Sequence, residues 1–460
     1  MAEIGENILW FLVLIGVMIM IHELGHFLAA RYFGVRVEIF SFGFGPRLFG
    51  FRRGDTDYRF SAILIGGYVK MAGELAIENA ERPGISYSKP SEEPAESLVD
   101  DPHALLAKPR WQRLIISAAG PCMNIVLAIG ILTGMYMVNY PKVSDADMQA
   151  IIGHVTAGSP AAKAGLQDGD RIVRMGKVRN PTWDDVNEKE MVGAYRPMNL
   201  TIDRNGKQFS TTVTPILSER LGVGYAGWDE RGEIELAAVE AGYPAEKAGL
   251  KKGDLILTVN GQPMHSPTKF QEITKNSGGK PIEITYRRKG ETNQIWVTPI
   301  YGKPDSGPAR YMIGVAPIQK LHFINTKLSF PAALGESLSQ NSKGALLMVE
   351  VIKGMIERRL SPKNLSSPIG IAEMSGAAAR EGATEFLSLM AMISLQLAIF
   401  NLLPIPILDG GTILMLAIEM VMQRDVSLNV KEAVFKVGFV FIMMLLAFVI
   451  YNDLSKLATG

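Results

Sequence analysis

The residues with the clearest chemistry stand in HELGH, residues 22–26, near the end of an apolar segment. On a helix, His22 and His26 lie four residues apart on one face, so both imidazoles can reach one metal ion. Glu23 is rotated by about 100° from His22, beside the ligand face rather than on it. Two imidazoles, one carboxylate and one open position make a catalytic zinc site. Because ionisable residues in membrane helices usually mark function, this pattern predicts a metal centre.

A third ligand must come from another segment. Asp409 is the only carboxylate from Phe386 to Ile418, and it lies within NLLPIPILDGG, residues 401–411, where the third apolar segment ends. Pro404 and Pro406 break a helix there and free backbone groups, which need a cavity lined by protein. Two interpretations stay open, namely a metal ligand or the N-cap of a helix at the membrane exit. The presence of HELGH in a neighbouring segment favours the ligand.

Four apolar segments carry or adjoin these residues. Each is close to the roughly 20 residues that cross a bilayer core. The alternative is that some are buried helices of a large soluble core. They run over about 8–30, 114–138, 386–408 and 433–452.

The composition agrees with membrane segments diluted by soluble domains. Hydrophobic residues make up 47% of the 460 residues, and charged residues only 20%. The net charge of +1 provides no basic surface, so we expect no nucleic-acid partner. The single cysteine, Cys122, excludes an intramolecular disulfide framework and a zinc cluster built on cysteines.

Lysine and arginine near the segment ends predict the orientation. They are frequent in the loops 34–112 and 421–432, which should therefore be cytoplasmic. Both termini and the region between the second and third segments should then lie outside the cytoplasm.

The outward region contains a repeat. Residues 160–172 (PAAKAGLQDGDRI) and 244–256 (PAEKAGLKKGDLI) match at nine of thirteen positions, at an offset of 84 residues. In each copy a short helix ends at a glycine, and a β run and later alternating strands follow. The block resembles the signature of circularly permuted bacterial PDZ domains, which implies one domain over 140–228 and another over 229–318. PDZ grooves capture peptides by strand addition; the alternative is a steric spacer that binds nothing.

The segment 319–384 should contain an amphipathic helix (GALLMVEVIKGMIERRL), followed by a loop (LSPKNLSSPIGIAEM) that returns to the membrane. The helix rests on the bilayer or on the paired domains, or is an ordinary packed helix. On the cytoplasmic side, residues 38–74 alternate apolar and polar residues with glycine turns. They should form β-hairpins that dip toward the membrane.

HELGH in the first segment and N-x-x-P-x-P-x-LDGG in a later one resemble the signature pair of the site-2 protease family of intramembrane zinc metalloproteases. The resemblance implies one zinc ion per chain, held by His22, His26 and Asp409, with Glu23 as acid and base. It matches Asn401 to a residue that engages the substrate backbone.

Three further matches complete the resemblance. GGYV corresponds to a re-entrant β-loop whose open edge could pair with an unwound substrate, although a simple surface hairpin is the alternative. Its residues are Gly66, Gly67, Tyr68 and Val69. AAGPCMN, residues 118–124, matches a GP-x-x-N motif in which Asn124 is an interhelical hydrogen bonder. The family commonly has asparagine five residues before Asn401; this chain has Gln396, a longer amide that could still bond a substrate strand.

The whole pattern predicts a polytopic α-helical membrane protein with four transmembrane helices, a cytoplasmic membrane-associated β-hairpin region and two extracytoplasmic PDZ domains of α+β class. The resemblance implies a bacterial inner membrane, single-span membrane protein substrates such as an anti-sigma factor, and remnant signal peptides. It also allows extracytoplasmic peptides or an adaptor at the PDZ domains. The predicted segments are 1–33, 34–112, 113–139, 140–228, 229–318, 319–384, 385–420 and 432–453.

Two rival functions stay open. A non-catalytic scaffold that gathers peptides on its PDZ domains would tolerate the loss of HELGH. An ion or proton transporter would also place His, Glu and Asp in the membrane, although the sequence shows no second inverted repeat.

Overall fold

The computed structural model describes residues 2–73, 101–144, 148–219, 221–303, 308–362 and 367–459. The chain divides into two compact units. The membrane unit comprises residues 1–139, 327–348 and 365–458. The β-rich unit comprises residues 140–326 and 349–364, together with the last two residues.

The membrane unit is mainly helical, and four described helices are long and apolar enough to cross a membrane. They cover Glu3–Tyr32, Arg110–Val138, Ala383–Asn401 and Asn429–Asn452. The complete helices are α1 (Ala2–Tyr32), α2 (Arg110–Val138), α8 (Pro368–Glu381), α9 (Ala383–Asn401), α10 (Asp409–Met422) and α11 (Leu428–Thr459); α7 (Phe330–Ile356) continues into the β-rich unit, and a short 3-10 turn covers Leu105–Ala107.

Helix α2 is central to this unit and contacts α1, α9 and α10. The contact with α1 is close because Gly25 faces it: a β-carbon on Gly25 would lie 2.3 Å from the Ala119 carbonyl oxygen. Leu14 and Met18 of α1 pack with Phe386 and other side chains of α9 in a buried apolar cluster. Tight packing of this kind fixes the position of α1 along its axis relative to α2 and α9, and with it the position of HELGH.

The β-hairpin structure predicted for residues 38–74 is confirmed for the described residues, which form two long antiparallel strands, β1 (Val37–Arg53) and β2 (Thr56–Met71). Phe40 of β1 pairs with both Tyr58 and Val69, so the first half of β1 lies between two arms of β2. Among the described residues, the arm near Val69 pairs with β1 on one side only. It is therefore an edge strand.

The third predicted segment, 385–420, is interrupted at its proline pair, as the sequence predicts. Helix α9 ends at Asn401 and α10 begins at Asp409. Pro404 and Pro406 lie in the break, where Ile407 has a φ of +86°. Each proline lacks an N–H for the helical ladder, so the backbone unwinds beside Asp409.

The return loop predicted over residues 360–374 is wrong in its second half, which forms the start of α8, and its residues 363–366 lie outside the described part of the chain. The Ser367 hydroxyl accepts hydrogen bonds from the N–H groups of Ile369 and Gly370, and Pro368 occupies the first helical position. A serine N-cap followed by proline is a strong helix start.

The β-rich unit contains two copies of one arrangement, as the repeat predicted. The first copy holds β4 (Ile152–Val155), α3 (Pro160–Lys163), β5 (Arg171–Met175), β6 (Val178–Arg179), α4 (Trp183–Val192), β7 (Met198–Arg204), β8 (Lys207–Val213), β9 (Ile216–Leu217), β10 (Gly224–Tyr225) and β11 (Trp228–Glu230). The second copy holds β12 (Glu233–Val239), α5 (Pro244–Ala248), β13 (Leu255–Val259), β14 (Gln262–Pro263), α6 (Pro267–Lys275), β15 (Ile282–Arg288), β16 (Glu291–Val297), β17 (Ile300–Gly302), β18 (Arg310–Met312) and β19 (Val315–Lys320).

Each copy has its own sheet and core. The order is β6-β5-β7-β8 in the first, and β16-β15-β13-β12-β19 with β14 beside β13 in the second. The chain enters the repeated copies through β3 (Tyr140–Val143) and leaves through β20 (Phe323–Thr326), and these strands pair antiparallel. Entry and exit are thus adjacent.

The aspartate of each Gly-Asp turn is buried and held by an arginine 34 residues later. Asp170 lies 2.6 and 2.7 Å from the Arg204 guanidinium, and Asp254 lies 2.7 Å from two nitrogens of Arg288. The same arginines donate to the carbonyls of Gly165 and Gly249. Each two-nitrogen contact clamps the helix–turn–strand block to the next strand.

At one position the first copy has a partly buried carboxylate where the second has a buried hydroxyl. Glu190 of α4 corresponds to Thr274 of α6, since both follow their N-caps, Thr182 and Ser266, by eight residues. The Glu190 carboxylate accepts hydrogen bonds from the backbone N–H of Ala226 at 2.6 Å and from the indole N–H of Trp228 at 2.7 Å. Burial raises the pKa of Glu190 to about 7, against the lowering effect of these two bonds.

Candidate metal centre

The two histidines of HELGH lie on one face of α1, as the spacing predicts. Their ring centroids are 4.9 Å apart, and each residue is less than one-tenth exposed. The His26 Nδ1 atom lies 2.8 Å from the Ile116 carbonyl oxygen. A carbonyl only accepts, so this nitrogen carries the proton and the His26 Nε2 atom keeps a lone pair for a metal.

The helix break brings Asp409 to the histidines. Its Oδ2 atom is 3.1 Å from His22 Nε2, and its Oδ1 atom is 3.5 Å from His26 Nε2. The N-cap of α10 is Leu408, so Asp409 is not the N-cap considered as an alternative. One ligand atom from each of the three residues lies within 4.8 Å of the others, a spacing that can hold a metal ion.

The donor set of this cluster suits zinc. Among the described residues, the ion-pair partners of Asp409 are the two histidines, with no lysine or arginine to balance its charge. Asp409 is 22% exposed, and a carboxylate largely withdrawn from water without a cation is costly. A divalent ion on two imidazoles and one carboxylate would remove that cost, and three protein ligands leave a position open for water.

Helix α2 is shaped around the two rings. A β-carbon on Gly120 would lie 2.3 Å from His26 Nε2 and 2.8 Å from His22 Cε1. Pro121 follows, and its missing N–H frees the carbonyl of Ser117, which borders the same cavity. Sequence reasoning missed Gly120 and Ile116; the signal for the former was a Gly-Pro pair inside an apolar span.

The cluster opens into a cavity of about 330 Å³. Glu23, Asn401 and the segment from Gly67 to Met71 line it together with the three candidate ligands. Gly66 adjoins this segment, whereas Gln396 on α9 is not among the lining residues described. The structure therefore brings together every predicted site residue except Gln396 and, at the margin, Gly66.

The β2 edge approaches the acid/base candidate closely. A β-carbon on Gly67 would lie 3.5 Å from Glu23 Cγ and 2.8 Å from the Ser41 carbonyl oxygen, so any side chain there would push β2 away. The Tyr68 ring stacks on Phe44, and Val69 is buried in an apolar cluster. The segment thus offers backbone, rather than a reactive side chain, beside Glu23.

Comparisons with known proteins agree with this geometry. The sequence pattern of Peptidase family M50 matches residues 10–445. The chain is 32% identical to the Regulator of sigma-E protease RseP of Salmonella typhimurium, over 99% of this chain and 100% of that one. It is 31% identical to a Putative zinc metalloprotease of Vibrio cholerae, with the same coverage, and 31% identical to RseP of Escherichia coli, over 97% and 98%.

A solved PDZ domain of an SdrC-like protein from Listeria monocytogenes covers 20% of this chain at 21% identity, with a TM-score of 0.17. That overlap is too small to carry an argument about the repeated copies. The family match, by contrast, spans both halves of the cluster, from HELGH to Asp409. The chain belongs to peptidase family M50, the site-2 protease family.

Proposed function

We propose that this protein is an intramembrane zinc endopeptidase that hydrolyses peptide bonds within or near the membrane segment of single-span proteins. The observation that carries the proposal is the convergence of His22, His26 and Asp409 with Glu23 on one cavity among apolar helices. The names of relatives as zinc metalloproteases support the metal and the reaction.

The three ligands would hold one Zn²⁺, which supplies Lewis-acid chemistry: it polarises a carbonyl and acidifies a water. Glu23 lines the cavity beside the ligands and is our candidate acid and base. It takes the proton of the attacking water and delivers it to the leaving amine. His22, His26 and Asp409 stay in place through this transfer.

The substrate must unwind, because a helical peptide bond is shielded by its own hydrogen bonds. We assign the arm of β2 at Gly66–Val69 to bind the unwound strand, supported by its extended backbone and its place beside Glu23. Asn401, at the end of α9 and on the cavity wall, would add a side-chain hydrogen bond to the substrate backbone. Gln396 is given no role.

The first test combines metal analysis with proteolysis. The purified protein in detergent should hold one zinc per chain and cleave a single-span substrate, and 1,10-phenanthroline should stop the cleavage until zinc is restored. A scaffold would bind the substrate without cutting it. A transporter would move ions in liposomes and leave the substrate intact, and either result would reject the proposal.

The β2 edge can be tested by cross-linking. With Cys122 replaced by Ala, Tyr68→Cys gives a single thiol on this edge. In a Glu23→Gln background, a set of single-cysteine substrates should form disulfides at every second residue, because strand pairing has a period of two. A period near 3.6, or no cross-link, would show that the substrate does not bind as a strand there.

The physiological class follows the relatives named for sigma-E regulation. We propose a bacterial inner-membrane enzyme with an anti-sigma factor as its main substrate, and remnant signal peptides as further candidates. We interpret the repeated copies as tandem PDZ domains on the extracytoplasmic side. There they exclude substrates with bulky ectodomains and admit stubs already trimmed by another protease.

The pairing of β3 with β20 allows a variant that tests whether the repeated copies exclude bulky substrates. The N–H of Ser144 donates to the carbonyl of His322, so a short Gly-Ser turn joining these residues removes both copies and keeps the paired strands. A gate predicts that this variant cleaves long-ectodomain substrates that the parent refuses, while both cleave short stubs. Loss of stub cleavage in a folded, zinc-loaded variant would instead show that peptide capture is required.

A further inference from the structure

Asn124 of α2 is a polar side chain beside the histidines that the proposed mechanism does not use. It is completely buried, and its Nδ2 atom lies 3.3 Å from His22 Nδ1. Its Oδ1 atom is buried and has no hydrogen-bond partner among the described residues. Such an unpaired amide oxygen is costly, which points to a second state in which it is used.

The two amide orientations correspond to two tautomers of His22. With Nδ2 facing the ring, the amide donates to Nδ1, so the ring proton sits on Nε2, 3.1 Å from Asp409. That proton occupies the nitrogen that a metal needs. With the amide rotated by half a turn, Oδ1 accepts from Nδ1–H and the Nε2 lone pair is released toward the metal.

His26 has no such choice, because a backbone carbonyl fixes its proton on Nδ1. We therefore propose that Asn124 is the positioning residue for His22: its side-chain oxygen holds His22 in the tautomer that binds zinc, and its rotation accommodates the metal-free tautomer. The inference rests on the proposed zinc site. It gives the Asn of the GP-x-x-N motif a role beyond joining two helices.

The zinc dissociation constant of the full-length protein, measured by competition with a chromogenic chelator, tests this. Asn124→Leu has a side chain of similar shape that cannot form hydrogen bonds, and it should raise the zinc dissociation constant by about 10- to 100-fold. Asn124→Asp, which offers an acceptor oxygen, should stay within about threefold of the parent, since carboxylates are common partners of zinc-bound histidines. Ser394→Ala is the matched control, because the Ser394 hydroxyl donates to the Asn124 backbone carbonyl and not to its side chain, and this variant should bind zinc normally.

A second readout separates positioning from packing. The visible spectrum of the Co²⁺-substituted protein reports ligand geometry, and Asn124→Leu should alter it even at saturating metal. If Asn124→Leu binds zinc like the parent while His22→Ala loses it, Asn124 is only a helix–helix contact. If Asn124→Asp binds zinc as weakly as Asn124→Leu, the side-chain oxygen is not the atom that holds His22 in its zinc-binding tautomer. If His22→Ala also keeps its zinc, the proposed metal site itself is wrong.

Discussion

Asp170 and Asp254 in the β-rich unit and Asp409 in the membrane unit all lie within the protein, but their partners differ. The first two are 1% exposed, and each contacts two nitrogens of an arginine. Asp409 faces two imidazoles instead, and among the described residues it has no lysine or arginine within ion-pair distance. An arginine neutralises the charge of a carboxylate and occupies its hydrogen-bond acceptors. Neutral imidazoles leave the negative charge of the carboxylate uncompensated, so that a metal ion can balance it.

Glu190 provides a third case. It is partly buried with two N–H donors and no cation, and its pKa is raised to about 7. Glu419 in the membrane unit resembles Asp170 and Asp254, because it is paired with a cation: its Oε1 atom lies 2.7 Å from the Lys431 ammonium. The partners of these carboxylates therefore differ within one chain: a cation for Asp170, Asp254 and Glu419, two N–H donors for Glu190, and two imidazoles for the candidate ligand Asp409.

The strongest test of this contrast is Asp409→Asn set against Asp254→Asn. A neutral amide is a poor zinc ligand, so Asp409→Asn should lower zinc affinity by more than about 100-fold and abolish cleavage. Asp254→Asn should keep one zinc per chain. Metal analysis after dialysis against a weak chelator measures both. Full zinc occupancy in Asp409→Asn would assign this carboxylate a structural role.

Next in size is Glu23→Gln. Removing an acid/base group should slow cleavage by about 10²- to 10⁴-fold while zinc stays at one equivalent, because Glu23 lies beside the ligands rather than among them. Single-turnover cleavage of a short membrane stub gives the rate. A near-normal rate would remove Glu23 from the chemistry, and zinc loss would make it a ligand.

Breaking the ion pairs Asp170–Arg204 and Asp254–Arg288 should lower the stability of the β-rich unit and leave zinc binding unchanged. Asp170→Asn or Asp254→Asn leaves Arg204 or Arg288 without its counter-charge and should destabilise the β-rich unit by about 3–5 kcal/mol. Asp203→Asn, in an exposed turn where the carboxylate accepts from the Gly206 N–H, is the control, with an expected loss below about 1 kcal/mol. Denaturant unfolding followed by tryptophan fluorescence compares the three. Equal losses would contradict the structural assignment of the buried pairs.

The smallest expected effect is pH-dependent. Since the pKa of Glu190 is raised from 4.5 to about 7 on folding, its contribution is complete below pH 4.5 and is lost as the pH rises through about 7, by about 1–3 kcal/mol. The unfolding midpoint of the β-rich unit should therefore fall between pH 5 and 8.5, and less steeply in Glu190→Gln. Asp184→Asn, exposed on the same helix, should keep the parental slope. Identical slopes in parent and Glu190→Gln would refute the assignment.

Local patterns were sufficient to predict much of this molecule. The spacing of His22 and His26, the four apolar segments and the repeated strands follow from helix period, bilayer thickness and alternation. The proline pair predicted the break before Asp409. Residues that meet only through tertiary contacts were not accessible in this way. Arg204 lies far along the chain from the Gly-Asp turn it clamps, and that turn alone gives no sign of it.

The same limit applies around the metal cluster. The need for glycine at position 120 depends on how close α2 comes to the histidine rings, which no single segment encodes. The start of helix α8 resembles a loop in sequence because its small residues give a weak apolar pattern, although Ser367 and Pro368 together form a typical helix start. The residue types were sufficient to predict the chemistry of the cluster, whereas the contacts between distant segments were not predicted.

The adjacent entry and exit of the repeated copies also bear on the history of the family. Because β3 and β20 are hydrogen-bonded neighbours, everything between them forms an insertion at a single point of the chain. Insertions whose ends meet are tolerated without rebuilding the host domain. Modules at this point could therefore be gained, duplicated or lost in related proteins while the helices that carry His22, His26 and Asp409 were inherited unchanged.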